Sequence, residues 1–142
     1  MDHSFDYHAH CMHGLCRICG KRVLSKQEKR KHFKKIKCVD FRHELLLYFD
    51  INIDTDSELV HSTYMCYRCK KSLHYLQNSG GVLSLQNARK LKCESESLWT
   101  AYNPQFTISQ CSLCFRHEDL GTGCAVKKRQ HLHRLTWMHQ NQ

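Results

Sequence analysis

Three Cys-x2-Cys pairs constrain the fold of this chain more than any other feature. The pairs are Cys16 and Cys19, Cys66 and Cys69, and Cys111 and Cys114. Two thiolates separated by two residues can reach one ion within a tight turn, and zinc takes four such ligands in tetrahedral geometry. The pattern therefore predicts a small fold that is organised around structural zinc.

The apolar content indicates that metal is needed to hold such a fold. Leu, Ile, Val and Phe make up 32 of the 142 residues, little above the share of roughly 20% below which highly charged chains tend towards disorder. A structural zinc supplies about 10–16 kcal/mol of apparent binding free energy, which becomes folding free energy. Net stabilities of domains are about 5–15 kcal/mol, so we expect one lost zinc site to unfold the domain.

The cysteine content also bears on the cellular compartment. No apolar run approaches the ~18 residues that span a bilayer, which predicts no membrane contact. The first ten residues lack a basic start followed by an apolar stretch, which predicts no secretory signal. Ten cysteines in such a chain indicate a reducing compartment, where thiols bind metal rather than form disulfides.

The first two pairs are the natural ligands of one zinc ion. Gly20 follows Cys16 and Cys19 and eases a tight turn, and Leu73 and Leu76 predict a helix after the second pair. In treble-clef-like zinc sites, a zinc knuckle is followed by an intervening segment and then by a second cysteine pair at the start of a helix. Four thiolates leave no open coordination position, so this site is predicted to be closed and non-catalytic. The alternative interpretation is a set of buried free thiols or a redox pair.

The third pair needs two further ligands, and the residues leave three choices open. The choices are His61 with His74, His117 with Cys124, and His10 with His13. His3, His8, His32, His43 and His139 are interpreted as ordinary surface or packed histidines. Cys38 and Cys93 are interpreted as small core residues.

The chain divides into three parts on this interpretation. Residues 1–15 form a flexible His-rich N-terminus, residues 16–117 a two-site zinc-binding domain, and residues 118–142 a basic, disordered tail. The predicted fold class is a small α+β zinc-stabilised domain with short helices and few short strands.

Apolar spacing places the predicted elements within that domain. It predicts helices over 41–49, with Asp40 as N-cap, and over 83–92. Short strands are predicted at 98–102 and 106–108.

Positive charge is concentrated in one segment. The net charge is +9, and residues 21–37 carry +8 of it. Such a run suits phosphate contacts or recognition by an import receptor. The candidate residues are Lys29, Arg30, Lys31, Lys34, Lys35, Lys37, Lys127, Lys128 and Arg129. Aromatic residues are hardly interleaved with them, which disfavours a single-strand binder that stacks bases.

Motifs for catalysis are missing from the sequence. It contains no H-E-x-x-H motif, no deaminase-type H-x-E motif and no suggested Ser/His/Asp set. The chain is therefore predicted to be no enzyme and to have no small-molecule substrate.

The stretch from Leu15 to Gly20 resembles the first knuckle of the N-terminal, non-core region of the V(D)J recombination-activating protein 1 family, which includes invertebrate and transposon-derived relatives. The resemblance continues in the same order through an apolar helix followed by an Asp-rich segment, over residues 46–56. His61 and His74 then lie five residues outside the second pair, and Trp99 precedes the last pair and a basic tail. Together these features cover about residues 10 to 130.

This resemblance implies zinc binding, nuclear localisation, contact with an import receptor through basic segments, and support of DNA recombination. It also selects His61 and His74 as partners of Cys111 and Cys114, and so implies two zinc ions. The basic run at 26–37 does not align cleanly. The family's ubiquitin-ligase RING segment and transposase core are absent from this sequence.

Residues 16–77 also resemble insect zinc-finger-associated domains, which build one zinc site and a dimer interface. The alternative function is therefore homodimerisation in a transcription regulator. That resemblance does not account for Cys111, Cys114 or Trp99.

Overall fold

The computed structural model describes residues 3–79 and 82–121. Within them the chain is a small α+β domain of six α-helices and one two-stranded sheet, which confirms the predicted fold class. The elements are α1 (Phe5–His13), α2 (Lys26–Arg30), β1 (Ile36–Lys37), α3 (Arg42–Phe49), β2 (Tyr64–Met65), α4 (Tyr67–Ser79), α5 (Val82–Ser95) and α6 (Ser112–Gly121). None of these helices has the length and hydropathy to cross a membrane.

The N-terminal segment, which is predicted to be flexible, contains α1. The hydroxyl of Ser4 accepts a hydrogen bond from the backbone N–H of Tyr7 at 3.1 Å, which caps the helix. One face of α1 is then buried through His8, Cys11 and Met12. A capped helix with a buried face is ordered by packing as well as by its own hydrogen bonds.

The small sheet leads directly into the second cysteine pair and is hydrogen-bonded to the first. β1 and β2 run antiparallel, with Ile36 opposite Met65. The backbone N–H of Arg17, inside the first pair, donates to the carbonyl of Tyr64 at 2.8 Å. This bond and the sheet hold the start of α4 beside the first knuckle.

Two apolar cores lie under the helices. The first surrounds Cys16, Cys19, Cys66 and Cys69, and its largest buried side chain is Phe49. The second packs α1 against α6; its buried members are Cys11, Met12, Leu15, Trp99, Cys111, Leu113 and Cys114. The thin apolar content is thus divided between two clusters, each built around sulfur.

The predicted helices are confirmed with shifted bounds. α3 starts at Arg42, after a 3-10 turn at Cys38–Phe41, and Phe41 rather than Asp40 is its N-cap. α5 extends beyond the predicted 83–92 on both sides.

The two predicted strands near Pro104 were wrong. Within the described residues, 98–102 and 106–108 form a 3-10 helix end, turns and extended loop. The carbonyls of Thr100 and Phe106 meet histidine rings instead of a neighbouring strand. Because these carbonyl oxygens accept hydrogen bonds from the rings of His3 and His8, they do not need a neighbouring strand as a hydrogen-bond partner.

Candidate metal centres

The first candidate centre is formed by Cys16, Cys19, Cys66 and Cys69, as the sequence predicts. After the first pair the chain turns sharply at Gly20, whose φ is +71°, and the backbone N–H of Cys16 donates to Lys21 at 2.7 Å. Cys66 immediately precedes α4 and Cys69 lies in its first turn. All four cysteines are buried.

The sulfur separations match a tetrahedral zinc site. Sγ of Cys16 lies 3.8 Å from Sγ of Cys69, and Sγ of Cys19 lies 3.8 Å from Sγ of Cys66. A tetrahedron with Zn–S bonds of about 2.3 Å has edges of about 3.8 Å. The four donors lie within 4.8 Å of one another, so one ion can reach all of them.

Backbone amides and neighbouring thiols shape the charge at this centre. The N–H of Ile18 donates to Sγ of Cys16, and the N–H of Cys69 donates to Sγ of Cys66, each at 3.4 Å. Hydrogen bonds from the other three thiols lower the pKa of Cys66, while burial raises the pKa of Cys16. A bound dication allows all four sulfurs to be thiolates at once.

The second candidate centre is formed by His3, His8, Cys111 and Cys114. Nε2 of His3 lies 3.2 Å from Sγ of Cys114, and Nδ1 of His8 lies 3.5 Å from Sγ of Cys111 and 3.6 Å from Sγ of Cys114. Nitrogen and sulfur ligands on tetrahedral zinc are about 3.5 Å apart. The donor set and its geometry fit zinc.

Both histidine rings are oriented by backbone carbonyls. Nδ1–H of His3 donates to the carbonyl of Phe106 at 3.0 Å, and Nε2–H of His8 donates to that of Thr100 at 3.1 Å. The opposite nitrogen of each ring therefore carries the lone pair that faces the sulfurs. Burial lowers the pKa of His8, which favours the neutral ring that a metal requires.

The ligand set predicted for this centre is corrected by the structure. His61 is not among the donors that lie within 4.8 Å of one another around Cys111 and Cys114, and its Nδ1 instead accepts a hydrogen bond from the N–H of Ser57 at 3.1 Å. His74 is exposed on α4, whose buried face is formed by Leu73 and Leu76. The cysteine pair is completed from the N-terminal segment instead.

The other proposed ligand pairs are also placed elsewhere. The rings of His10 and His117 pack on each other at 5.4 Å, and the ring of His13 packs against Tyr64 at 5.7 Å. Cys124, Lys127, Lys128 and Arg129 lie outside the described residues.

The sequence alone predicts that His3 and His8 are ordinary histidines, and so it does not identify them as ligands. One signal was present: His8, Cys11 and Met12 have helical i, i+3, i+4 spacing behind Ser4, a good N-cap. That pattern predicts a packed helix carrying an inward histidine.

The arginine within the first pair has a structural role. The guanidinium of Arg17 is buried and donates twice to the carboxylate of Asp56, at 2.7 and 3.0 Å. It also lies over the ring of Trp99, 5.7 Å from the ring centroid. Arg17 thus ties the first knuckle to the loop that carries Asp56 and, through Trp99, to the second core.

The predicted basic residues of the segment 29–37 lie on the surface. Lys29 and Arg30 end α2, and Lys31, Lys34 and Lys37 follow it, all exposed. Lys35 differs because its Nζ donates to the carbonyl of His13 at 3.0 Å and lies 4.9 Å from the centroid of the Tyr64 ring. These contacts fix part of the basic segment to the body of the domain.

Comparison of the chain with family models, with curated proteins and with solved structures gave no match. The geometry of the two centres and of the surface around them therefore carries the functional argument.

Proposed function

We propose that the chain is a nuclear, zinc-binding accessory and interaction module that supports DNA recombination, as the resemblance to the recombination-activating family implies. It acts through contacts with an import receptor and with DNA, and it catalyses no reaction itself. The observation that carries the proposal is that each metal centre is supplied with four protein donors.

A full donor set favours a structural role for both ions. Catalytic zinc keeps one position for water or substrate, whereas structural zinc is closed by protein ligands. Cys111 and Cys114 are fully buried, as is nearly all of His8. Zinc held in this way stabilises a scaffold, so the function is assigned to the surface that the scaffold presents.

The basic segment is the surface that best supports a partner role. It is exposed, and its backbone is held in place through Lys35 and through Tyr67, whose hydroxyl donates to the carbonyl of Lys34 at 2.7 Å. A fixed array of cations suits either the phosphates of DNA or an acidic groove on a receptor.

A triple substitution, Lys29→Ala with Arg30→Ala and Lys31→Ala, tests this role. We expect the variant to stay in the cytoplasm of transfected cells if the segment is an import signal. If the segment contacts phosphates, its DNA affinity falls and depends less steeply on salt.

The matched control replaces two exposed cations of α5, Arg89→Ala with Lys90→Ala, and should change neither readout. Nuclear accumulation and unaltered DNA affinity in the triple variant would together contradict the proposal.

Homodimerisation is the second candidate, and a specific surface favours it. Val39, Leu46 and Leu47 are each about half exposed; Leu46 and Leu47 lie on α3, and Val39 lies in the 3-10 turn before it. Sedimentation of the zinc-loaded chain tests this function. A dimer that Leu46→Lys with Leu47→Lys converts to a monomer supports it, and a wild-type monomer at high concentration excludes it.

A further inference from the structure

A basic groove lies beside the first metal centre. It encloses about 570 Å³ between the first knuckle, α2 and the start of α4. Its cations come from separate parts of the chain and are Lys21, Arg22, Lys26, Arg68 and Lys71. Three of these precede the predicted basic candidates, and two lie on α4.

Negative charge at the groove is smaller. Glu28 is the one acid in its lining, and its carboxylate is engaged by the N–H of Ser25 at 2.8 Å, which closes the capping box of α2. Cys19 and Cys66 also line it, and four thiolates on a zinc dication carry two net negative charges. The positive charge of the five cations exceeds the combined negative charge of Glu28 and the zinc–thiolate centre, so the groove attracts anions.

An aromatic pair adjoins these cations. Tyr67 lines the groove, and the centroid of its ring lies 5.1 Å from that of Phe33. The Phe33 side chain is 41% exposed, although large apolar rings usually bury more of their surface. Nζ of Lys70 lies 6.0 Å from the centroid of the Tyr67 ring.

Folding therefore creates the combination that the linear sequence lacks. Phe33 and Tyr67 are far apart along the chain, yet the Tyr67–Lys34 hydrogen bond holds the turn that carries Phe33 against α4. Grooves that combine cations along a backbone path with exposed rings bind single strands, because each unpaired base has a face that can stack. The bases of a duplex are already stacked on each other and offer no such face.

We propose that this groove, together with the ring of Phe33, binds an unpaired DNA strand. The phosphates lie along the groove cations, and one base stacks on Phe33. The inference rests on the proposed function, in which the module contacts DNA, and it specifies the form of DNA and the residues that bind it.

Fluorescence anisotropy of the zinc-loaded full chain with labelled oligodeoxythymidylate, and with a duplex of equal length, tests the inference. We expect Phe33→Leu to weaken single-strand binding by about fivefold or more while duplex binding is unchanged. Phe33→Trp should restore it, because indole stacks as well as phenyl. The matched control is Phe5→Leu, which removes a 48% exposed ring that also packs on a tyrosine, Tyr102.

A second variant separates electrostatic contact from stacking. Lys71→Ala should weaken both DNA forms and reduce the salt slope for the single strand by roughly 0.7, the value for one lost phosphate contact. Because Lys71 is exposed on α4, this variant does not depend on the packing of Phe33. Zinc stoichiometry and circular dichroism establish that each variant is folded.

The outcomes distinguish failure of the inference from failure of the proposed function. Equal single-strand affinity in wild type and in both variants would overturn the inference, as would loss of both DNA forms in Phe33→Leu. Duplex binding would then still support the proposed DNA contact. A third outcome is that the wild-type chain binds neither DNA form but binds an acidic polypeptide such as polyglutamate in the groove. This outcome would assign the groove to a protein partner and overturn the inference.

Discussion

At the scale of single residues, the ligand set of the second centre is the sharpest claim. We expect His8→Ala to lower the zinc content from two ions per chain to one, because Nδ1 of His8 faces both Cys111 and Cys114. His74→Ala should keep two ions, since His74 is exposed on α4. Native mass spectrometry counts the ions directly.

A further variant separates the loss of the ligand nitrogen of His8 from the loss of its hydrogen bond to Thr100. His8→Gln also lacks the imidazole and should behave as His8→Ala, although its amide takes the place of Nε2 and can still donate to the carbonyl of Thr100. One zinc ion in His74→Ala and two in His8→Ala would restore the ligand set that the family resemblance implies.

At the scale of elements, α1 connects local helix chemistry to metal binding. Ser4 caps α1, and His3 and His8 lie on either side of that cap. We expect Ser4→Ala to destabilise the domain by about 1 kcal/mol and to weaken zinc binding at the second centre. Thermal melts and competition with a chromophoric chelator measure the two effects.

Ser25→Ala is the matched control for this prediction. The hydroxyl of Ser25 likewise accepts from a backbone N–H at 3.1 Å and caps α2, but α2 buries none of its side chains and carries no residue of either metal centre. Its loss should therefore leave both zinc affinities unchanged. Equal loss of zinc affinity in the two variants would contradict the connection between the α1 cap and the second centre.

At the scale of the whole molecule, two metal centres each organise one of the two cores. We expect removal of zinc by a strong chelator to unfold the domain, because binding free energies of about 10–16 kcal/mol per structural zinc exceed or match the typical net stability. Far-UV circular dichroism should lose its helical signal, and readdition of zinc should restore it. An unchanged spectrum after complete removal would show that the apolar cores suffice.

The contacts of Arg17 connect the two cores, and this connection determines whether they unfold together or separately when zinc is removed. Arg17 contacts Asp56 on one side and the ring of Trp99 on the other, so the first knuckle and the second core share a buried contact. We therefore expect a single transition in the chelation curve.

The amino-acid sequence by itself determined the first centre and most of the helices. Cys-x2-Cys pairs are local chelates, so their spacing alone reveals the ligands Cys16, Cys19, Cys66 and Cys69. Helices such as α4 and α5 follow from apolar spacing, which is likewise local. The membership of Cys111 and Cys114 in a second centre was also predictable for this reason.

Only the tertiary structure decided which residues complete the second centre and which rings adjoin the basic groove. A single histidine has no local signature as a ligand, and His8 reaches Cys111 because α1 packs on α6 from the far end of the chain. Phe33 meets Tyr67 through a turn held by one hydrogen bond. Such pairings depend on contacts between distant segments, and sequence spacing carries no direct record of them.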